Sequence, residues 1–148
     1  MAGTVVADTL QADSTSTLVL KNGVANTPPT IQDSAGTQIG TFCRAWVNFN
    51  GTLVTSPASM TGVRGSFNVS SILDGGAGIY TVNFTTAMPD ANYAPVINGS
   101  MSGTNAGVFD MGSNAQSPSI TTTALKVFSH NTSGTFVDAE YMNVAIFR

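Results

Sequence analysis

His130 is the one histidine in 148 residues, and a hydrolytic triad built by one chain would have to use it. The chain offers 15 serines and eight acidic residues as partners, so composition alone selects none of them. No G-x-S-x-G elbow occurs, and His130 reads as a polar residue at the end of a hairpin. Glycan-cleaving sites use paired carboxylates. Asp138 and Glu140 are two apart, which on a strand places them on one face with α-carbons about 6.6 Å apart. The commoner role of such a pair is a solvated strand face, and we expect that role here. Asp33, Asp74 and Asp110 stand in turn or loop contexts, where Asp accepts from backbone donors.

One His and one Cys do not make a His/Cys zinc site within a chain. An ion on a threefold axis would need one ligand per chain, and His130 or Asp110 would serve, but nothing selects either. Gly103, Gly107 and Gly112 are too dispersed for a phosphate-binding loop. The expectation is therefore a non-enzyme with no cofactor and no metal. Cys43 has no partner for an intrachain disulfide and lies in an apolar strand pattern, as buried structural thiols do.

The elements that must position these groups are strands. Charged residues are 9% of the chain, against roughly 25% in an average soluble domain. Thr, Ser, Asn and Gly make up 62 of the 148 residues in their place. Such a surface can hydrogen-bond to itself or to neutral glycans, and it lacks the charge that keeps small domains dispersed. The net charge is −3, and Lys21, Arg44, Arg64, Lys126 and Arg148 are scattered, which argues against nucleic acid as a partner. No run approaches the roughly 20 apolar residues of a membrane span, and the first residues lack the pattern of a signal peptide. Synthesis in a reducing cytoplasm fits the single cysteine. The five Asn-x-Ser/Thr matches, at Asn50, Asn68, Asn83, Asn98 and Asn131, follow from the abundance of these residues.

Strand-suited runs recur about every ten residues between turn signals, which predicts an all-β antiparallel sandwich or knob. Residues 1–38 differ from the rest. They lack aromatic residues and contain an extended Pro-Pro stretch at Pro28 and Pro29. Their apolar residues, among them Val5, Val6, Leu10, Leu18 and Leu20, need a partner outside the segment. The rest of the domain, identical chains around a threefold axis or a docking protein would each supply it; we expect residues 1–38 to be an arm for attachment or trimerisation, and residues 39–148 to be the knob.

In the knob, residues 42–49 alternate. Cys43, Ala45, Val47 and Phe49 are predicted on the core side. Trp46 lies opposite them, either at a subunit interface or, as slightly favoured, in the second layer of the sandwich. Asn50-Gly51 predicts a hairpin with residues 52–55 pairing back. Residues 64–73 and 79–86 read as strands joined by a Gly-rich turn, with Tyr80, Val82 and Phe84 on one face. Residues 119–130 and 135–148 read as the last two strands, with Leu125, Val127, Met142, Val144 and Ile146 lining the core. Between them and the strand at 92–100 lies a long polar stretch, residues 101–118. Tyr93, Asn105, Phe109, Asp110 and Asn114 in or beside it are candidate receptor contacts. The aromatics would stack on sugar faces, or else anchor the loop to the core.

The run D-S-A-G-T-Q-I-G-T-F-C-R-A-W-V-N-F-N-G-T at 33–52 resembles a module of bacteriophage tail-fibre proteins. The run R-G-S-F-N-V-S-S-I-L-D-G-G-A-G-I-Y-T-V-N-F-T-T-A-M-P-D-A-N-Y at 64–93 continues the resemblance, which covers about 60 residues and fades after Tyr93. It implies a β-rich fibre or tip domain on the virion tail, usually a homotrimer, made in the bacterial host cytoplasm. Its partners would be further copies of itself, a tail or baseplate protein, and a host surface glycan or protein. A capsid decoration or baseplate protein is the alternative, and a small tailspike depolymerase is a more distant one.

Overall fold

The computed structural model describes residues 30–101, 107–111 and 120–148. They form two antiparallel four-stranded sheets packed face to face, with a small two-stranded ribbon before them. The ribbon pairs β1 (Ile31–Gln32) with β2 (Gln38–Gly40). One sheet has the order β4-β3-β10-β7, from Val63–Phe67, Cys43–Phe49, Tyr141–Phe147 and Ala94–Ser100. The other has the order β5-β6-β9-β8, from Val69–Asp74, Ile79–Phe84, Gly107–Asp110 and, third in the order, β9 (Ala124–Asn131). The all-β sandwich expected from the sequence is the observed fold.

The period-two alternation decides the core. Ala45, Val47 and Phe49 from β3 and Met142, Val144 and Ile146 from β10 point inward and are buried. They meet Ile72, Tyr80, Val82, Phe84, Leu125 and Val127 from the facing sheet. The Phe49 and Tyr80 rings pack edge to face with centroids 5.2 Å apart, a preferred aromatic geometry. Burying each such side chain contributes about 1.5–3 kcal/mol before the entropy cost of ordering it. Cys43 lies at the margin of this layer, half-buried.

Four local expectations change. Asn50-Gly51 does not make a two-residue hairpin. The Asn50 side chain accepts from Thr52 N at 3.0 Å and caps a single 3-10 turn, Gly51–Leu53. The chain then loops to Ser59, whose backbone exchanges hydrogen bonds of 3.0 and 2.7 Å with Ile72 and so covers the edge of β5. An uncovered edge would offer unpaired donors to other chains. Residues 64–73 are two strands in different sheets, because Asn68 adopts φ 55° and turns the chain from β4 into β5. Residues 135–140 are not strand. They cross outside the second sheet, where Phe136 covers Phe128 with ring centroids 5.6 Å apart. Trp46 does not fill the second layer. It stands on the outer face of β3, 42% exposed.

Two polar clamps hold the sheets together, one at each end. At the first, Asn68 Nδ2 donates to Arg44 O and Thr86 O, both at 3.1 Å, and its Oδ1 accepts from Thr86 N at 2.7 Å. Asn tolerates the left-handed region because its short amide can bond locally. At the other end, Asp138 Oδ1 accepts from Gly78 N at 2.7 Å and Tyr80 Oη at 3.0 Å. Ala139 N donates to Tyr80 Oη at 3.3 Å, and Gly51 N donates to Ala139 O at 2.8 Å. A Cβ on Gly51 would lie 2.2 Å from Tyr80 Oη, and one on Gly78 would lie 2.2 Å from Ser129 O. Both positions therefore require glycine.

Asn68→Ala is expected to lower unfolding stability by about 2–4 kcal/mol, since it removes three hydrogen bonds and leaves alanine at positive φ. Asn68→Gly should lose less, because only the bonds go. Tyr80→Phe should cost about 1–3 kcal/mol through the orphaned Asp138 and Ala139 groups. Urea unfolding of the three variants checks the order Asn68→Ala above Asn68→Gly.

Candidate functional site

The outward positions of the β4-β3-β10-β7 sheet fall into rows fixed by strand register. Trp46 lies opposite Phe67 on β4 and Ala145 on β10, and Ala145 lies opposite Val96 on β7. The row Phe67, Trp46, Ala145, Val96 thus crosses all four strands. Phe67 is 55% and Val96 56% exposed, although both are large and apolar. The six-membered ring of Trp46 lies against Gly65, whose added Cβ would stand 3.2 Å from Cη2 and 3.3 Å from Cζ3. Glycine at 65 lets the indole lie close to the sheet.

The next row is Gly65, Asn48, Asn143, Asn98. Its amides form a ladder: Asn48 Nδ2 donates to Asn143 Oδ1 at 2.6 Å, and Asn143 Nδ2 donates to Asn98 Oδ1 at 3.0 Å. A shallow depression of about 320 Å³ lies over these two rows. Beyond the ladder, Arg64 Cζ sits 4.0 Å from the centroid of the exposed Tyr141 ring, and its Nη2 donates to Glu140 O at 2.9 Å. At the other margin a second hollow, about 500 Å³, is lined by Phe42, Arg44, Phe67, Asn68, Thr85 and Thr86 among others.

The outer face of the second sheet is different. It carries Ser71, Thr81, Asn83 and Lys126, with Asn83 Nδ2 donating to Ser71 Oγ at 3.0 Å. The outside of this sheet thus mixes polar groups with Phe128 under Phe136, and the other sheet presents uncovered aromatics and amides.

Of the residues singled out from sequence, Tyr93, Phe109, Asp110, His130, Asp138 and Glu140 are among the described ones. Val5, Val6, Leu10, Leu18, Leu20, Asn105 and Asn114 lie outside the described residues. Tyr93 is buried, packs edge to face on Phe84, and donates to Thr121 O and Ala124 O at 3.0 and 3.1 Å. Burial pushes its phenol up to about 12. It is an anchor to the core, the second of the two roles the sequence left open for it. Phe109 packs half-buried against the core at Gly99 and Gly107, and so also serves as an anchor. Asp138 accepts from Gly78 and Tyr80, while Glu140 lends its carbonyl to Arg64. The two do not form a strand-face carboxylate pair. No group of three or more potential metal ligands occurs among the described residues. The outer-face rows were missed in the sequence because their aromatic and amide positions come from four separate strands.

Asp110 and His130 do meet, across β8 and β9, with Oδ2 and Nε2 3.1 Å apart. His130 Nδ1 faces Asn131 O at 3.1 Å. Both ring nitrogens therefore face acceptors, an arrangement that suits the doubly protonated imidazolium. The hydrogen bond to the Asp110 carboxylate, with help from the Asn131 carbonyl, raises the imidazole above its ordinary 6.5.

No family model matches the chain, and no curated protein matches it. Among solved structures, it is similar to the crystal structure of the phiAB6 tailspike in complex with three-repeated oligosaccharides of Acinetobacter baumannii surface polysaccharide. The identity is 17% over 89% of this chain, with a TM-score of 0.39. The chain spans 30% of that tailspike's length, and a likeness this distant carries no argument about function.

Because the folded His130 value is raised, its contribution is present below the unfolded value near 6.5 and is lost as pH rises through the folded value. In NMR titration, Asp110→Asn should move the His130 midpoint down toward 6.5 and flatten the pH dependence of stability between pH 6 and 8. An unchanged midpoint would show that the pair is not formed in solution.

Proposed function

We propose that the chain is a structural, receptor-binding component of a bacteriophage tail, a homotrimeric fibre or tip that binds without catalysis. The observation that supports this reading best is the polarity of the sandwich. The chain enters β3 at the end where β4 and β10 finish, and Thr41 Oγ1 donates to Arg148 O at 2.9 Å there. Asp90 and Arg148 pair at that same end, with Nε to Oδ1 at 2.9 Å. The opposite end gathers the connections after β3, β5, β7 and β9. The connections after β4, β6 and β8 return at the first pole, so a subunit that attaches through the segment leading into β3 keeps the loops of the opposite pole free to touch a target.

On this reading, residues 1–38 dock to a tail or baseplate protein, and the opposite pole meets a host surface glycan or protein. The loop at residues 50–62 is its largest described connection and exposes Leu53 and Met60. The resemblance of residues 33–93 to tail-fibre modules supports the virion location. Binding works by avidity, since three weak sites held together act at a high effective concentration.

The purified chain is expected to have a native mass of about 46 kDa by light scattering, three times 15.2 kDa. Labelled protein should bind cells of the phage's host and compete with phage adsorption, and shortening the loop at 50–62 should weaken both at unchanged mass. Protein that forms the trimer, fails to bind cells and decorates the capsid in immunogold images would instead establish a capsid decoration protein.

A further inference from the structure

The outer face of the β4-β3-β10-β7 sheet is uncovered, and its composition indicates what covers it. Its outward positions include Trp46, Phe67 and Tyr141 with Arg44 and Arg64, and no Lys, Asp or Glu. Protein-interface cores are enriched in aromatics and Arg and depleted in Lys, Glu and Asp. The outer face of the other sheet mixes Lys126, Thr81, Ser71 and Asn83 with Phe128, which Phe136 covers, and with the exposed Val108.

We infer that this face is where copies of the chain associate with one another, the Phe67, Trp46, Ala145, Val96 row and the asparagine ladder of three copies converging on the threefold axis. The inference rests on the homotrimer reading above and names the surface that builds it. Two observations favour a second copy as the occupant. The two central rows carry no charge, so identical faces meet without like-charge repulsion; Arg44 and Arg64 lie at the two margins. Each amide of the ladder is both donor and acceptor, and the groups not used within the ladder can pair with the same group of another copy.

Size adds a constraint. Four strands about 4.8 Å apart and seven residues at about 3.3 Å each span roughly 440 Å². A stable interface buries about 800 Å² per partner. The face therefore supplies about half of that area, and the rest must come from elsewhere in the chain. Removing residues 1–38 should accordingly weaken the trimer without exposing a different lateral face.

Trp46 is the sole tryptophan, so fluorescence of the full chain reports on this face directly. At high concentration its emission should be blue-shifted and protected from acrylamide. Dilution should red-shift it and raise quenching in step with the fall in mass from trimer to monomer. Val96→Glu places a carboxylate in the row at a position that is 56% exposed within the chain, so it should leave the fold intact by circular dichroism. It should raise the dissociation constant about 100-fold or more. Asn143→Asp should act in the same direction.

A wild-type chain that is monomeric at all concentrations overturns both this inference and the trimer reading. A trimer whose Trp46 stays open to quencher, and which Val96→Glu leaves intact, overturns the inference alone. Emission that ignores dilution but shifts on adding a neutral oligosaccharide overturns it in favour of a glycan platform.

Discussion

The buried phenol of Tyr80 is the point on which the geometry of the closed end depends. Its ring packs on Phe49 across the sandwich, so it belongs to the core that joins the sheets. Its hydroxyl meets Asp138 and Ala139 on the segment that crosses from β9 to β10. Burial drives the phenol well above its ordinary value, so it stays a neutral donor at any physiological pH. A carboxylate and a phenol placed here without each other would be costly, because a desolvated polar group without a partner loses its hydration with no return. Together they fix where β10 begins and thus which of its residues face inward. The glycines at 51 and 78 follow from the same constraint, since side chains there would occupy the space of the hydrogen-bonded groups.

Once β10 is in register, the outer face follows without further choice. A one-residue slip would send Met142, Val144 and Ile146 outward and bury Asn143. The native register does the reverse, and it aligns Asn143 with Asn48 and Asn98 and Ala145 with Trp46 and Val96. The core on one side of the sheet and the apolar and amide rows on the other are therefore one decision. The clamp at Asn68 does the same for β4, bringing Phe67 beside Trp46 while delivering Val69 to the opposite sheet.

This explains what could be read from the sequence. Alternation identified the core sides of β3, β6, β9 and β10, because period-two burial is a local signal. The break at Asn68 was not legible, since residues 64–73 form one continuous strand-like run and the positive φ is set by contacts to Arg44 and Thr86, distant in sequence. The single 3-10 turn after β3 escaped for a similar reason: Asn50-Gly51 has hairpin chemistry, but Gly51 is held by Ala139, 88 positions away. Tyr93 looked like a loop aromatic because it borders a polar stretch, and its burial depends on Phe84 and on the carbonyls of Thr121 and Ala124. The candidate face was invisible as a set, because strand order, not sequence order, assembles it.

The contrast between the two outer faces bears on how a chain so poor in charge stays usable. Only 9% of its residues are charged, so solubility cannot rest on repulsion between monomers. The structure places its exposed aromatics, with Arg44 and Arg64, on the outer face of one sheet, and Lys126 with Ser71, Thr81 and Asn83 on that of the other. Three of the four edge strands are short, interrupted or covered: β8 has four residues, β7 carries Pro95, and Ser59 caps β5. An open edge can extend by strand pairing, so short, interrupted or covered edge strands limit that route even in a chain of low charge.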